Sequence, residues 1–216
     1  RGSDGATSTA RRNLETSRSA VIWGRNLIRF PPSAEELPRD FELTCRYTHT
    51  GGNVYRSVTF RFDVSSDLKY ANYVYTSAHA PSPKLHVAYT RDGTSTYPLE
   101  ARVAQPIQIG KPYTIRLAVR DRLVNVWLND KFQIAYSLPD RGPSGQLLLS
   151  GFDATVAFDD IRVRSLPTDV KLVESKNNDP VLKPVSSVEI SQSKLAAAQS
   201  SLVALQAIFA AEKKRG

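Results

Sequence analysis

From residue 41 onward, apolar and polar residues alternate with a period of two. In "FELTCRYT", Phe41, Leu43, Cys45 and Tyr47 alternate with Glu42, Thr44, Arg46 and Thr48. Successive side chains of a strand point to opposite faces, so this pattern predicts a strand with one buried side. The pattern recurs. Val58, Phe60 and Phe62 share one face, opposite Thr59 and Arg61. Ile115, Leu117 and Val119 form another, and so do Val126 and Leu128 with either Leu123 or Val124. Further strands are predicted at "AVIWGRNLIRF", "YANYVYTS", "KLHVAYT", "FQIAYSL", "GQLLLSGF" and "TVAFDDIRVRSL". The breakers between them are "GGN", read as a turn, "APSP", the hairpin signal "RDG" and "DRGPSG". About nine to eleven short strands with closely spaced turn signals predict an antiparallel sandwich or barrel. Asn129-Asp130 suits a tight hairpin turn, because both residue types visit the left-handed region. Phe158, Ile161 and Val163 break strict alternation, which predicts a bulge at Asp159-Asp160.

The ends differ from this middle. Residues 1–19 are small and polar and read as a flexible leader. Residues 20–166 carry the strands. Residues 167–186, with prolines and a polar centre, read as a linker or a strap along the domain. Residues 187–215 read as an amphipathic helix. Ser186 and Glu189 fit a capping box at its start. Leu195, Leu202, Leu205 and Phe209, with Ala198, step by three and four and make a stripe for a partner helix, the sandwich or another domain.

The formal charge of +8 favours anionic partners. However, the cations are spread along the chain; Arg11-Arg12 and Lys213-Lys214-Arg215 are the nearest things to clusters. No nucleic-acid motif accompanies them, so solvated faces are expected and a nucleic-acid partner is not. No apolar run is long enough for a membrane span. Methionine is absent, even at position 1, so the chain reads as a trimmed or excised piece of something longer. The single cysteine, Cys45, cannot form an internal disulfide and reads as a small buried hydrophobe. His49, His79 and His86 fit no catalytic or zinc spacing, and no haem motif is present. No cofactor or metal is expected. Asp63 and Asp67 flank a loop that could offer calcium ligands, but a third acidic residue is missing and a plain loop is the expectation. No Glu-x-Asp-x-Glu run places carboxylates on one strand face, and adjacent Asp159-Asp160 would point to opposite faces, so a glycosidase pair is not expected.

The order of motifs in "YTIRLAVRDRLVNVWLNDKFQIAYSLPDRGPSGQLLLSGFDATVAFDDIRVRSL" resembles the C-terminal half of concanavalin A-like jelly-roll domains. The laminin G-like lectin and glucanase modules and the 3-keto-disaccharide hydrolase-type domain are the nearest look-alikes. "VWLND" stands where these have a strand ending in Asn-Gly. "GQLLLSG" matches their Gly-led strand, "VAFDDIRV" their closing strand, and "DFEL" with "FRFD" their opening pair. The resemblance spans residues 20–166. It implies an all-β, antiparallel jelly-roll β-sandwich, here with a C-terminal α-helix. The tail "KLAAAQSSLVALQAIFAAEKKRG" resembles the helical segment after such domains in planctomycete-type multi-domain cytochrome c proteins. That likeness implies an extracytoplasmic, periplasmic or secreted, parent protein.

In jelly rolls the concave sheet holds ligands. If Val124, Val126 and Leu128 point inward, Asn125 and Trp127 point outward beside Arg116. Arg61, Tyr73 and His86 are outward candidates from earlier strands. Aromatic rings stack on sugars and polar groups bind their hydroxyls, so these six residues read as a candidate carbohydrate groove. The alternative for Trp127 is a cover from the linker or the C-terminal helix. The leading expectation is a non-catalytic carbohydrate-binding accessory module. The alternative is an interaction domain that docks to other domains or subunits of a cytochrome c-containing complex. A glycoside hydrolase-like enzyme ranks third.

Overall fold

The alternating segment at residue 41 forms a strand, but that strand does not stop at the glycines. In the computed structural model, which describes residues 14–15, 20–23, 27–30, 37–142 and 145–178, it runs unbroken from Phe41 to Val64. The chain divides into two compact units, residues 1–178 and 179–216. The second unit lies outside the described residues, and so do the expected helix and its stripe Leu195, Leu202, Leu205 and Phe209. Apart from Leu14–Glu15, so does the expected leader.

Twelve described strands form one continuous antiparallel sheet. The first three are short: β1 (Leu14–Glu15), β2 (Ala20–Trp23) and β3 (Leu27–Phe30). Then come β4 (Phe41–Val64), β5 (Ala71–Ser77), β6 (Lys84–Arg91), β7 (Thr94–Thr96) and β8 (Arg102–Ala104). The last four are β9 (Pro112–Arg120), β10 (Leu123–Leu128), β11 (Lys131–Ser137) and β12 (Gln146–Ser165). β4 and β12 pair along nearly their whole length, from Phe41↔Ser165 to Val64↔Gln146. On its other edge, β4 pairs first with β9 and then with β5. The β4–β12 ribbon therefore runs through two leaves. The first leaf is β11-β10-β9 with the N-terminal half of β4, the C-terminal half of β12, and β1 and β2. The second is β7 and β8 beside β6, then β5, the C-terminal half of β4, the N-terminal half of β12, and β3.

The ribbon bends where it changes leaf. Separate strands were expected before and after "GGN", and likewise "GQLLLSGF" and "TVAFDDIRVRSL"; one bent strand replaces each pair. Gly52 has φ +135°, and a Cβ there would lie 2.2 Å from the Asp153 carbonyl oxygen, so only glycine fits. Asp153 has φ 51°, and its Oδ2 accepts hydrogen bonds from the backbone N–H of Val54 (2.7 Å) and Tyr55 (2.8 Å). Elsewhere the local signals hold. Asn129 and Asp130 both have positive φ, as a two-residue hairpin of the primed type requires, and so do Asp92 and Gly93. The register shifts between Asp159 and Arg162, with Asp160 at φ 48°, which is the expected bulge.

The leaves face each other across an aromatic core. Phe41 meets Phe62 edge-on at 5.5 Å, and Tyr47 meets Phe60 the same way at 5.5 Å. Phe60 in turn meets Phe158 at 6.1 Å. Each fully buried aliphatic or aromatic side chain of this core contributes about 1.5–3 kcal/mol of transfer free energy. Cys45 is buried here, and desolvation pushes its thiol well above the usual range, so it is inert. The Tyr47 hydroxyl donates to Thr76 across the leaves, 2.9 Å away.

One buried polar cluster joins the loops at the far end. Asp63 accepts two hydrogen bonds from Arg141 (2.6 and 2.7 Å) and one from Asn72 (2.9 Å). Both charged side chains are 1% exposed. Arg141 also donates to the carbonyls of Arg39 and Asp121. Asp67, the other candidate calcium ligand, instead accepts from Ser65 and the Lys69 backbone.

Removing one member of a buried pair leaves the other charge without compensation. Arg141→Met is expected to destabilise the domain by about 3–5 kcal/mol, read from urea midpoints; a loss under about 1 kcal/mol would refute the assignment. His49 yields a second expectation. Its ring is buried, and neither nitrogen has a hydrogen-bond partner among the described residues. Burial, helped by Arg56, pulls its pKa down to about 4. Unfolded histidine titrates near 6.5, so between these values the unfolded chain binds the extra proton. Stability is full above about pH 6.5 and falls toward pH 4, by roughly 3 kcal/mol from His49. Burial of His86 acts in the same direction. His49→Leu is expected to flatten that acid slope in denaturation midpoints measured from pH 7 to pH 4; an unchanged slope would exclude His49 as its main cause.

Candidate functional site

The two leaves present very different outer faces. On the first leaf, alternation turns Arg116, Asn125 and Trp127 outward. Trp127 sits directly opposite Arg116 in the β9–β10 ladder, and the Arg116 guanidinium lies 3.5 Å from the ring centroid. Phe132 packs edge-on against the same ring at 5.5 Å. Arg116 also pairs with Glu42 at 3.3 Å, and Glu42 pairs with Arg164 at 2.6 Å. Asn125 is fully buried: its Nδ2 donates to the Val173 carbonyl and its Oδ1 accepts from the Val173 N–H. This is one rung of a strap. Arg120 donates to the carbonyls of Pro167 and Val170, Ser175 donates to Ala135, and Asn177 exchanges hydrogen bonds with the Ser137 backbone. Residues 167–177 thus cross the outside of β9, β10 and β11.

The second leaf is open. Its outer face holds a cleft of about 490 Å³, a size typical of ligand sites. The ladder registers order its residues in rows across the strands. Arg61 stands opposite Tyr73, and Tyr73 opposite Ala88. The next row is Thr59, Tyr75, His86 and Arg102, and the third is Ser57, Ser77 and Lys84. A small apolar floor of Val64, Ala71, Ala88 and Leu148 supports Tyr73 and Tyr75. Tyr55, Tyr97 and Phe152 stand at the walls, each about half exposed (51%, 52% and 56%), so their ring faces are accessible.

The central row is held rigidly. His86 Nε2 lies 2.7 Å from the Pro98 carbonyl, which can only accept, so Nε2 carries the proton. Nδ1 then accepts from the Tyr75 hydroxyl at 3.0 Å. Burial depresses the His86 pKa, with nearby Arg102 and Lys84 adding to the effect, and the ring is neutral at pH 7. Burial also pushes the Tyr75 phenol up to about 12, and Tyr97 adds to that. Tyr97 packs on Tyr73, Tyr75 and His86 at 6.3, 6.1 and 6.0 Å. Arg61 lies 5.7 Å from the Tyr73 ring centroid. Among the described residues, no Asp or Glu lines the cleft.

No protein-family model matches the chain, and no curated protein matches it either. Solved structures do. A carbohydrate-binding module of Bacillus subtilis, CBM66, covers 74% of this chain and 98% of its own length, at 19% identity and a TM-score of 0.57. The chain has a concanavalin A-like jelly-roll fold. Sheep galectin-11 matches 66% of this chain and 98% of its own, at 9% identity and a TM-score of 0.49. The β-glucanase of Bacillus licheniformis matches 70% and 79%, at 6% identity and a TM-score of 0.49.

Within this jelly roll the six residues expected to share a groove divide between the leaves. Arg61, Tyr73 and His86 come together in the second-leaf cleft. Arg116, Asn125 and Trp127 come together on the first leaf, under or beside the strap. Alternation told outward from inward but not one sheet from the other. Sequence reasoning missed Tyr55, Tyr75, Lys84, Tyr97, Arg102 and Phe152. Tyr75 was within reach, since it lies two residues from Tyr73 on the same face. The others sit at a bend, at a strand end or on short edge pieces, where no periodicity builds up.

Proposed function

We propose that this jelly roll is a non-catalytic carbohydrate-binding accessory module of a larger, extracytoplasmic protein, and that it holds its ligand in the second-leaf cleft. The observation that carries this reading is the cleft's lining. Accessible aromatic walls stand beside a fixed hydroxyl and imidazole and beside guanidinium groups without a carboxylate partner among the described residues. Sugars present apolar C–H faces to rings and hydroxyls to such polar groups. Glycoside hydrolysis, in contrast, needs two carboxyl groups about 5–10 Å apart, and among the described residues none lines this cleft. The likeness to a carbohydrate-binding module supports the fold on which this reading rests. Among the described residues no helix is long and apolar enough to cross a membrane.

The first-leaf trio fits a structural part better. One face of Trp127 already carries Arg116, and both ends of the Asn125 amide are engaged by Val173. Docking to other domains of the same protein is the second reading, favoured by the strap that already crosses this leaf.

Calorimetric titration of the domain against a glycan panel tests the proposal. Tyr97→Ala is expected to weaken binding at least tenfold, about 1.4 kcal/mol, with the fold retained by circular dichroism. Trp127→Ala is expected to leave affinity within about twofold, or about 0.4 kcal/mol. The reverse order of effects would move the site to the first leaf. No binding to any glycan would sink the proposal.

A further inference from the structure

The charge of the cleft is one-sided. Arg61, Lys84 and Arg102 line it, and among the described residues no carboxylate does. None of the three cations has a salt bridge or a hydrogen-bond partner among the described residues. Elsewhere in the same domain several arginines are matched with carboxylates: Arg46 with Asp159, Arg141 with Asp63, Arg91 with Asp140, and both Arg116 and Arg164 with Glu42. The nearest carboxylates are engaged or placed elsewhere: Asp63, nearest to Arg61, is closed on Arg141, Asp153 beside Phe152 accepts from the Val54 and Tyr55 backbone, and Glu100, nearest to Arg102, lines a different cleft beside Phe132. The two histidines of the lining do not change the sign, because imidazole is neutral or positive.

The positions also matter. The ladder puts Arg61 on β4, Lys84 on β6 and Arg102 on β8, in three different rows. Arg61 and Arg102 are three strands apart, about 14 Å at the usual strand spacing. The cations are thus spread along the cleft rather than gathered at one point. A chain with a negative group on successive residues can meet them. Between the cations lie Tyr73, Tyr75 and Tyr97, which suit the apolar faces of sugar rings. Low-dielectric walls and like-signed charges raise the local concentration of an oppositely charged ligand.

We propose that the cleft takes an anionic glycan, one bearing carboxylate or sulfate groups along its length. This rests on the carbohydrate-binding reading above and sharpens it to a ligand class. Arg61 and Arg102 meet the acid groups in bidentate fashion, Lys84 meets them as a point charge, and the tyrosines carry the ring faces.

The test compares oligosaccharides of equal length by calorimetry: an oligogalacturonate, a sulfated galacto-oligosaccharide, and the uncharged galacto-oligosaccharide. At least one acidic oligomer is expected to bind tenfold or more tighter than the neutral one, and added salt should shrink the gap. The two acidic arms separate carboxylate from sulfate. A variant combining Arg61→Gln, Lys84→Gln and Arg102→Gln should lose the preference. A control with Lys69→Gln, Lys131→Gln and Lys171→Gln, all exposed and outside the cleft, removes the same charge and should keep it. Arg102 is exposed, so Arg102→Gln alone gives a readable loss if the triple variant does not fold. Equal or tighter binding of the neutral oligomer overturns the acidic assignment and leaves the carbohydrate reading standing. Binding to none of the three overturns the acidic assignment, and a silent wider panel then removes the carbohydrate reading too. A control variant that loses as much as the cleft variant overturns the proposal in favour of unspecific attraction to a basic protein. A single-stranded oligonucleotide that binds the cleft more tightly than every glycan overturns it as well.

Discussion

The fold depends on a close backbone approach at one point. Gly52 lies against the Asp153 carbonyl with no space for a Cβ, and the Asp153 carboxylate accepts from the amides of Val54 and Tyr55 in β4. This contact lets the β4–β12 ribbon bend as a unit. A straight ribbon of this length would be a single open sheet with one apolar face unburied. The bent ribbon buries that face against itself, as the Phe41–Phe62 and Tyr47–Phe60 contacts record. The same bend delivers Tyr55 and Phe152, which flank Gly52 and Asp153, to one wall of the cleft, where their rings pack at 5.7 Å. The constraint that makes the sandwich therefore also builds part of the site.

The two outer faces show how similar residues acquire different roles. Both leaves carry outward arginines beside aromatic rings. On the first leaf Arg116 is stacked on Trp127 and paired with Glu42, while the strap's backbone satisfies Asn125 and Arg120. Polar groups there are closed on one another, which makes a cover. On the second leaf the hydroxyls and His86 satisfy one another, but the cations do not find anions. A rigid central row with unmatched charge around it is preorganised for an outside partner, because little ordering entropy is left to lose on binding.

Much of this was legible in the chain, and the failures share a cause. Alternation identified which side of each strand is buried, as at Leu43, Ile115 and Val126. Turn chemistry at Asn129-Asp130 and the broken period at Asp159-Asp160 gave a hairpin and a bulge in the right places. These are local signals. The fate of "GGN" was not local: two glycines mark a reversal or a bend equally well, and the answer lies in the partner strand more than 100 residues away. The six candidate residues divide between two faces for the same reason. Outward residues were recognised on both leaves, but which leaf each strand joins is fixed by pairing, so two faces were read as one groove. The strap was legible only as a proline-rich change of character, whereas its docking rests on side chains such as Asn125 and Arg120, whose partners are backbone atoms that carry no sequence signal.

The distribution of carboxylates bears on whether such a cleft holds or cuts. Asp63 is closed on Arg141, Asp153 on the ribbon bend, Glu42 on two arginines, and Asp140 on Arg91 and Tyr70. Each of these four is engaged in holding the fold, and none of them lines the cleft. The titratable groups that do line the cleft work against proton transfer near neutral pH. His86 is kept neutral by burial, with its one proton committed to the Pro98 carbonyl, and the Tyr75 phenol is raised to about 12. A general acid or base works best with a pKa near the working pH, and these two are moved away from it on either side. The same shifts favour binding, since a neutral imidazole and an un-ionised phenol keep fixed donor and acceptor directions over a wide pH range. Rigid neutral groups at the centre and unmatched cations around them are the features on which the proposed recognition role rests.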